Sequence, residues 1–198
     1  DKDFFTHGGI AFDGVLRALR DNIMQRIEGG SGPLVGASTI TQQVAKNFLL
    51  TSEQTWDRKI KEALLAIRIE STFSKDKILE LYLNEIFLGL NSYGVAAAAL
   101  NYFDKALYEL TVSEAAYLAA LPKGPNNYHP FRRPKAAIER RNWVLDRMRD
   151  NGYLTEEQAE IAKKDNLNVV PRQSGSRLYS AEYFTEEVRR QLLGLYGE

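Results

Sequence analysis

Gly36-Ala-Ser-Thr-Ile-Thr-Gln-Gln-Val-Ala-Lys-Asn47 reads as the opening of a helix with two unlike faces. At about 100° per residue, Ser38, Thr39, Gln42, Gln43 and Lys46 fall on one arc, with Ile40, Val44 and Phe48 opposite. Two readings of the polar arc stand side by side. Thr39 and Gln42 have the spacing of a capping box, which leaves the rest a solvated face. Hydroxyls, amides and one Lys at a helix start also suit phosphate oxygens, which the first N–H groups of a helix favour as well.

The same helical period runs outward through most of the chain, and no long alternating run points to a sheet. A mainly α fold is predicted. A first helix is expected over residues 12–27, on Phe12, Val15, Leu16, Leu19, Ile23 and Ile27, closed by a flexible loop at Glu28-Gly-Gly-Ser-Gly-Pro33. Others are expected from Ser38 or Thr39, over residues 55–73, and after Ser74 as N-cap. The Ala-rich stretch 95–102 follows a turn bracketed by Gly89 and Gly94, and further helices follow Thr111, cover 134–151 and cover 155–164. The last opens on the capping-box pattern Thr155-Glu-Glu-Gln158. Pro122, Pro125, Pro130 and Pro134 mark an irregular crossing. Residues 165–177 are polar and read as a linker, and 179–198 as an amphipathic stretch belonging with a neighbouring domain.

Composition narrows the chemistry. With 198 residues, 44% of them hydrophobic, the chain can bury a real core. Lys plus Arg is 26 and Asp plus Glu is 26, so there is no whole-chain field to gather nucleic acid, and any anion site must be local. The absence of Cys excludes disulfides, thiolate metal sites and a Cys nucleophile, and two His residues, His7 and His129, are too few for a multi-imidazole zinc site. Apolar runs such as residues 95–100 fall far short of the roughly 18 residues of a membrane span. No signal peptide opens the sequence, and Asp1 reads as the edge of a mature or excised piece.

A second polar stripe lies in Arg58-Lys-Ile-Lys-Glu-Ala-Leu-Leu-Ala66, where Arg58, Lys59 and Glu62 share a face opposite Ile60, Ala63, Leu64 and Ile67. Taken alone it is a surface i,i+4 pair, worth a few tenths of a kcal/mol. Taken with the first stripe, Lys46, Arg58 and Lys59 form a cationic cluster around Glu62, suited to a diphosphate and to acid or base work. Lys75-Asp-Lys-Ile-Leu-Glu-Leu-Tyr-Leu-Asn84 reads as a buried helix, with Glu80 and Asn84 bracing its neighbours. His7, beside two glycines, reads as a hydrogen-bonded structural residue.

In order, these blocks resemble the peptidoglycan glycosyltransferase domain of class A penicillin-binding proteins and their monofunctional relatives. Asp1, Phe4, His7 and Gly9 match the family's first motif. Gly36, Ser38, Thr39, Ile40, Gln42, Gln43, Lys46 and Asn47 match the second, and Arg58, Lys59, Glu62 and Ala66 the third. Lys75, Ile78, Leu79, Glu80, Tyr82, Leu83 and Asn84 match the fourth, and Gly89, Gly94, Ala97, Ala98, Tyr102, Phe103 and Lys105 the fifth. The chain departs at Asp104, where the family has Gly. The first motif's leading Glu, the family's general base, would stand immediately before Asp1.

The resemblance implies a lysozyme-like helical lobe with a smaller membrane-facing jaw, and a glycosyltransferase domain over 1–164 with linker and following transpeptidase over 165–198. It implies polymerisation of lipid II into glycan strands, with inversion and release of undecaprenyl diphosphate, in cell wall synthesis at the outer, periplasmic face of the plasma membrane. Glu62 would be catalytic, and Ser38, Thr39, Gln43, Lys46, Asn47, Arg58 and Lys59 would bind substrate. Partners would be lipid II, the growing glycan strand, the membrane surface through residues 12–27, and moenomycin-type phosphoglycolipids, but not nucleic acid. No cofactor would be obligatory, with Mg²⁺ or Mn²⁺ at Glu62 as an option. The alternatives are a lysozyme-like peptidoglycan-cleaving enzyme, which needs no cation cluster, and a domain that only binds lipid-linked saccharide.

Overall fold

The computed structural model describes residues 1–29, 36–49 and 56–170, without the side chains of residues 48, 49 and 56. The side chain of Phe48, residues 30–33 of the expected loop, and the expected linker and tail beyond residue 170 lie outside what the structure describes. The mainly α expectation holds. Among the described residues, eight α-helices and two short 3-10 turns carry the chain, and the β-pairing is one isolated bridge between Phe87 and Tyr93. Two compact units divide it: Asp1–Ala97 with Leu121–Asn126, and Ala98–Ala120 with Asn127–Glu198.

The first unit contains α1 (Phe12–Ile27), α2 (Ile40–Leu49), α3 (Trp56–Thr72) and α4 (Lys75–Glu85). α2 packs on α3 and α4 over a core of Phe4, Val44, Ala45, Ile69 and Ile78. Ser74 caps α4 as expected, its hydroxyl accepting from the Lys77 N–H at 3.3 Å. The bridge closes a turn over residues 89–92 and leads into α5 (Val95–Phe103). Gly94 is required there: its φ is +80°, and a Cβ would come within 2.3 Å of the Asn84 carbonyl oxygen.

α1 has the expected bounds, and its apolar residues point outward: Phe12, Leu16, Leu19, Ile23 and Ile27 are exposed, and its one buried residue is Ala18. Two expectations about faces are corrected in this unit. α3 is turned relative to the prediction, with Glu62, Ala66 and Ile69 buried at i, i+4 and i+7 while Ile60 and Leu64 are 59% and 63% exposed. The reason lies in Ala66, whose carbonyl oxygen would stand 2.9 Å from a Cβ at Gly9. The chain entering from residues 1–9 approaches α3 so closely that a bulky aliphatic face has no room there. In α2, Thr41, Gln42 and Ala45 join Val44 on the buried side, so that side is half polar. Glu80, expected to brace neighbouring helices, instead pairs with Lys77 at 2.8 Å on the surface.

The second unit contains most of α5 with α6 (Val112–Ala120), α7 (Pro134–Asp150) and α8 (Glu156–Lys164). Their starts follow the sequence. Thr111 and Glu114 exchange capping bonds ahead of α6, Pro134 stands in the first turn of α7, and Thr155 with Gln158 forms the capping box of α8. α7 packs against α6 and α8 around Ala116, Leu145 and Ala162. Tyr102, Phe103 and Tyr117 stack edge-on or tilted, with centroids 5.7–6.2 Å apart. Burial pushes the Tyr102 phenol up to about 12 and Tyr117 higher still, and the Tyr117 hydroxyl donates to the Tyr128 carbonyl at 2.8 Å.

Candidate active site

The site begins with a carboxylate that the packing has drawn inside. Glu62 is 2% exposed, one oxygen on the Lys59 ammonium and the other 3.4 Å from the Arg58 guanidinium. Lys59 and Arg58 stand three and four residues before Glu62 on α3, a spacing that places the three together, as expected. Burial was not expected, and it changes the energetics. A surface pair is worth little, whereas a desolvated carboxylate depends on its cations. Lys59 also donates to the Ser38 hydroxyl at 2.8 Å, linking α3 to the segment that leads into α2.

The other sequence-chosen residues divide into two groups. Lys46 and Asn47 are exposed on α2 and Gln43 is half-buried. The hydrogen bonds of the Glu62 cluster do not include them. Thr39 is buried, and its hydroxyl is fully engaged: it donates to the Gly9 carbonyl at 2.7 Å and accepts from the Gln42 N–H at 3.1 Å. The Thr39 N–H donates in return to Gln42 Oε1 at 3.0 Å. The capping-box reading is therefore realised, and Thr39 shapes the start of α2.

Residues 1–9 form the wall beside that helix start. Asp1 Oδ2 accepts from the Ile40 N–H at 2.8 Å, supplying negative charge and an acceptor to the first turn of α2. His7 Nδ1 accepts from the Gly9 N–H at 3.1 Å, so Nε2 carries the proton and donates to Asp1 at 3.0 Å. Burial, and then the nearby Lys75 ammonium, hold His7 below its ordinary pKa. Phe4 is buried in the core, and Gly9, at φ +91°, fits where any Cβ would strike α3. The expectation of a structural His7 agrees with these bonds.

Sequence reasoning passed over Thr41 and Glu70. Thr41 is fully buried and donates to Glu70 Oε1 at 2.5 Å. The available signal was the small residue Ala66 four positions after Glu62, which marks the closely packed side of α3.

Chemically, Arg58 and Lys59 leave one net positive charge after Glu62, and Lys46 adds another on α2. The Arg58 and Lys59 side chains are 15% and 42% exposed, so a solvent-borne oxyanion can reach cations that Glu62 holds in place. A divalent metal fits poorly. Both Glu62 oxygens already face cations, and among the described residues no three His, Cys, Asp or Glu side chains gather as a metal site.

Similarity to known proteins agrees with the motifs. The chain is 49% identical over 199 residues to Penicillin-binding protein 1A of Aquifex aeolicus (strain VF5), covering 100% of this chain and 26% of that protein. It is 48% identical over 199 residues to Penicillin-binding protein 1A of Haemophilus influenzae, covering 100% of this chain and 22% of that protein. The crystal structure of the latter at 2.6 Å overlays on 80% of this chain and 20% of its own, with 39% identity and a TM-score of 0.49. The chain thus spans about a quarter of the length of these relatives. The family described as Transglycosylase matches residues 1–149, and the chain belongs to that family.

Proposed function

We propose that this chain is the peptidoglycan glycosyltransferase domain of a bifunctional penicillin-binding protein, polymerising lipid II with inversion and release of undecaprenyl diphosphate. The observation that carries the reading is Glu62, buried between Arg58 and Lys59, with Ser38 on the same ammonium. An inverting displacement needs cations at the departing diphosphate and a base on the opposite face of the sugar. Arg58, Lys59 and Lys46 serve the first need, and Glu62 keeps the two α3 cations aimed and is the catalytic carboxylate on the leaving-group side. Ser38, Gln43 and Asn47 complete the substrate contacts, with Thr39 fixing the helix start. On this reading the base is the Glu that the family's first motif carries one position ahead of Asp1.

The exposed apolar face of α1 supports membrane-surface contact through the jaw of a lysozyme-like domain, at the periplasmic face of the plasma membrane. On this reading residues 165–198 lead into a transpeptidase domain, and moenomycin-type phosphoglycolipids occupy the donor site.

Incubation with lipid II tests the reading. Glycan strands support it, soluble fragments from mature peptidoglycan would make the protein a hydrolase, and binding without turnover would make it a lipid-linked saccharide receptor. The base is tested by comparing a protein beginning at Asp1 with versions carrying Glu or Gln before it. The Glu version should polymerise on the order of 10²-fold faster or more, and equal rates in all three would move the base elsewhere.

A further inference from the structure

Beneath residues 1–9 lies a half-buried charge pair, apart from the Glu62 cluster. Glu70, at the end of α3, accepts on Oε1 from the Thr41 hydroxyl at 2.5 Å and from the Lys75 ammonium at 2.7 Å. The same ammonium donates to the His7 carbonyl at 2.5 Å and stands 4.6 Å from the centre of the Phe4 ring. Gly9 lies against the Glu70 side chain, where a Cβ would meet Cγ at 3.1 Å. The Glu70 and Lys75 side chains are 10% and 22% exposed, so their attraction is poorly screened by water. One ammonium therefore joins α3, the start of α4 and residues 1–9. Apart from Phe4 and Gly9, most of that segment is exposed, and few apolar contacts fix it.

We propose that Glu70 and Lys75 are positioning residues for the glycosyl transfer. The ammonium fixes the His7 carbonyl, His7 fixes Asp1 through Nε2, and Asp1 caps α2 at Ile40. This chain of bonds sets the direction in which the chain enters Asp1, and hence the place of a base immediately before it. Thr41 holds the Glu70 carboxylate from the α2 side. The inference rests on the glycosyltransferase reading, because only that reading puts a reacting group ahead of Asp1. The diphosphate cations sit on a different set of bonds, so losing the pair disturbs the acceptor side and leaves donor binding intact.

The test uses the full-length protein with lipid II and the variants Glu70→Gln, Lys75→Met, Lys75→Arg and Thr41→Val. A base displaced by about 1 Å costs on the order of 10²-fold in rate. Glu70→Gln and Lys75→Met should therefore lose roughly 10- to 100-fold in kcat. KM for lipid II and the Kd of a moenomycin-type inhibitor should each stay within about threefold, well under the 1.4 kcal/mol of a tenfold change. Lys75→Arg should recover most of kcat. NMR titration of His7 checks that the pair is acting on the segment, since Lys75 lowers and Glu70 raises its pKa. Lys75→Met should raise it and Glu70→Gln should lower it. Wild-type kcat in both variants, or equal losses in kcat and inhibitor affinity, would overturn the proposal. Should either variant unfold, Thr41→Val decides: it removes one hydroxyl, and unchanged kcat there overturns the proposal as well. A wild-type protein inactive on lipid II would instead sink the glycosyltransferase reading itself.

Discussion

The most deeply buried charged side chains of the two units, Glu62 in the first and Arg141 in the second, are satisfied in opposite ways. Arg141 in the second unit is 1% exposed, and its guanidinium meets neutral acceptors: the Lys163 and Asp165 carbonyls, the Ser113 hydroxyl and the Asn142 amide oxygen, at 2.7–3.1 Å. It fastens the end of α8 to α6 and α7. Glu62 in the first unit is met by ions that themselves reach solvent. A charge held by fixed backbone dipoles has little left to offer a ligand. A charge held by accessible ions keeps those ions in place for an incoming anion. The difference separates a structural charge from a functional one.

Removing each charge isosterically puts that distinction to its hardest test. Glu62→Gln should lower polymerisation by roughly 10²- to 10³-fold, the scale seen when one oriented transition-state group is lost, while circular dichroism shows the helices intact. Wild-type turnover would make Glu62 a buried structural acid like any other. Arg141→Met should do the reverse. It strands two carbonyls and a buried hydroxyl and should cost about 3 kcal/mol of stability. Turnover per folded molecule should change by less than about twofold, under 0.5 kcal/mol on the barrier. A large rate loss at full stability would erase the contrast.

The units also differ in where they put their apolar surface. The second unit gathers Ala116, Leu145 and Ala162 in a core between its helices, whereas the apolar stripe of α1 faces solvent along its whole length. Replacing Leu16, Leu19 and Ile23 with Ser should barely move the melting curve, because substitutions at exposed sites usually stay within about 0.5 kcal/mol each. Liposome association should fall at least ~10-fold, since each Leu or Ile withdrawn from lipid gives up about 1.5 kcal/mol or more. Unfolding of the triple variant would show that this face is core after all.

These contrasts explain what was legible in the sequence. Helix limits were, because they depend on local chemistry: Ser74, Pro134 and the Thr155–Gln158 pair act within a few residues of themselves. The cluster of Arg58, Lys59 and Glu62 was legible for the same reason. The inward face of α3 was not. Ile60, Leu64 and Ile67 make the stronger apolar stripe, and only the approach of Gly9, far away in the chain, turns Ala66 and Glu62 inward. Ser38 on Lys59 and Thr41 on Glu70 are contacts between helices, invisible to any count along one of them.

Acid offers a gentler comparison. Each unit has one histidine whose Nδ1 accepts backbone N–H bonds, His7 from Gly9 and His129 from Phe131 and Arg132. Burial lowers both pKa values below 6.5, with Lys75 and Arg132 respectively adding to the effect. A depressed histidine means that the unfolded chain binds protons first, so its contribution to stability is complete above about pH 6.5 and fades as pH falls through the folded pKa. Melting temperatures at pH 7.5 and 5.5, measured with His7→Asn and His129→Asn, should show the acid loss reduced in each variant. His7 should matter more, because its ring also carries Asp1.

The smallest effects concern backbone strain at Leu90 in the first unit and Asp104 in the second. Leu90 has φ +45° in the turn closed by the Ser92 N–H on the Gly89 carbonyl at 2.8 Å, a conformation that a branched side chain resists. Asn tolerates that region, so Leu90→Asn should stabilise by about 1 kcal/mol, or roughly 2–4 °C in melting temperature for a domain of this size. Asp104, at φ +55°, stands just past α5, where the Asp104 N–H reaches the Leu100 carbonyl at 3.0 Å and the Lys105 N–H reaches Ala99 at 3.4 Å. That is the bonding of a helix end usually closed by Gly. The structure holds Asp104 in the left-handed region that Gly adopts freely. Asp104→Gly relieves the strain but frees the unfolded chain by about 0.5–1 kcal/mol and forfeits the interactions Asp104 makes. The net gain should be about 0.5 kcal/mol or less. A gain above that at Leu90, with little change at Asp104, would show that strain is carried by the bulkier residue in the first unit. Equal gains would mean that the two units store it alike.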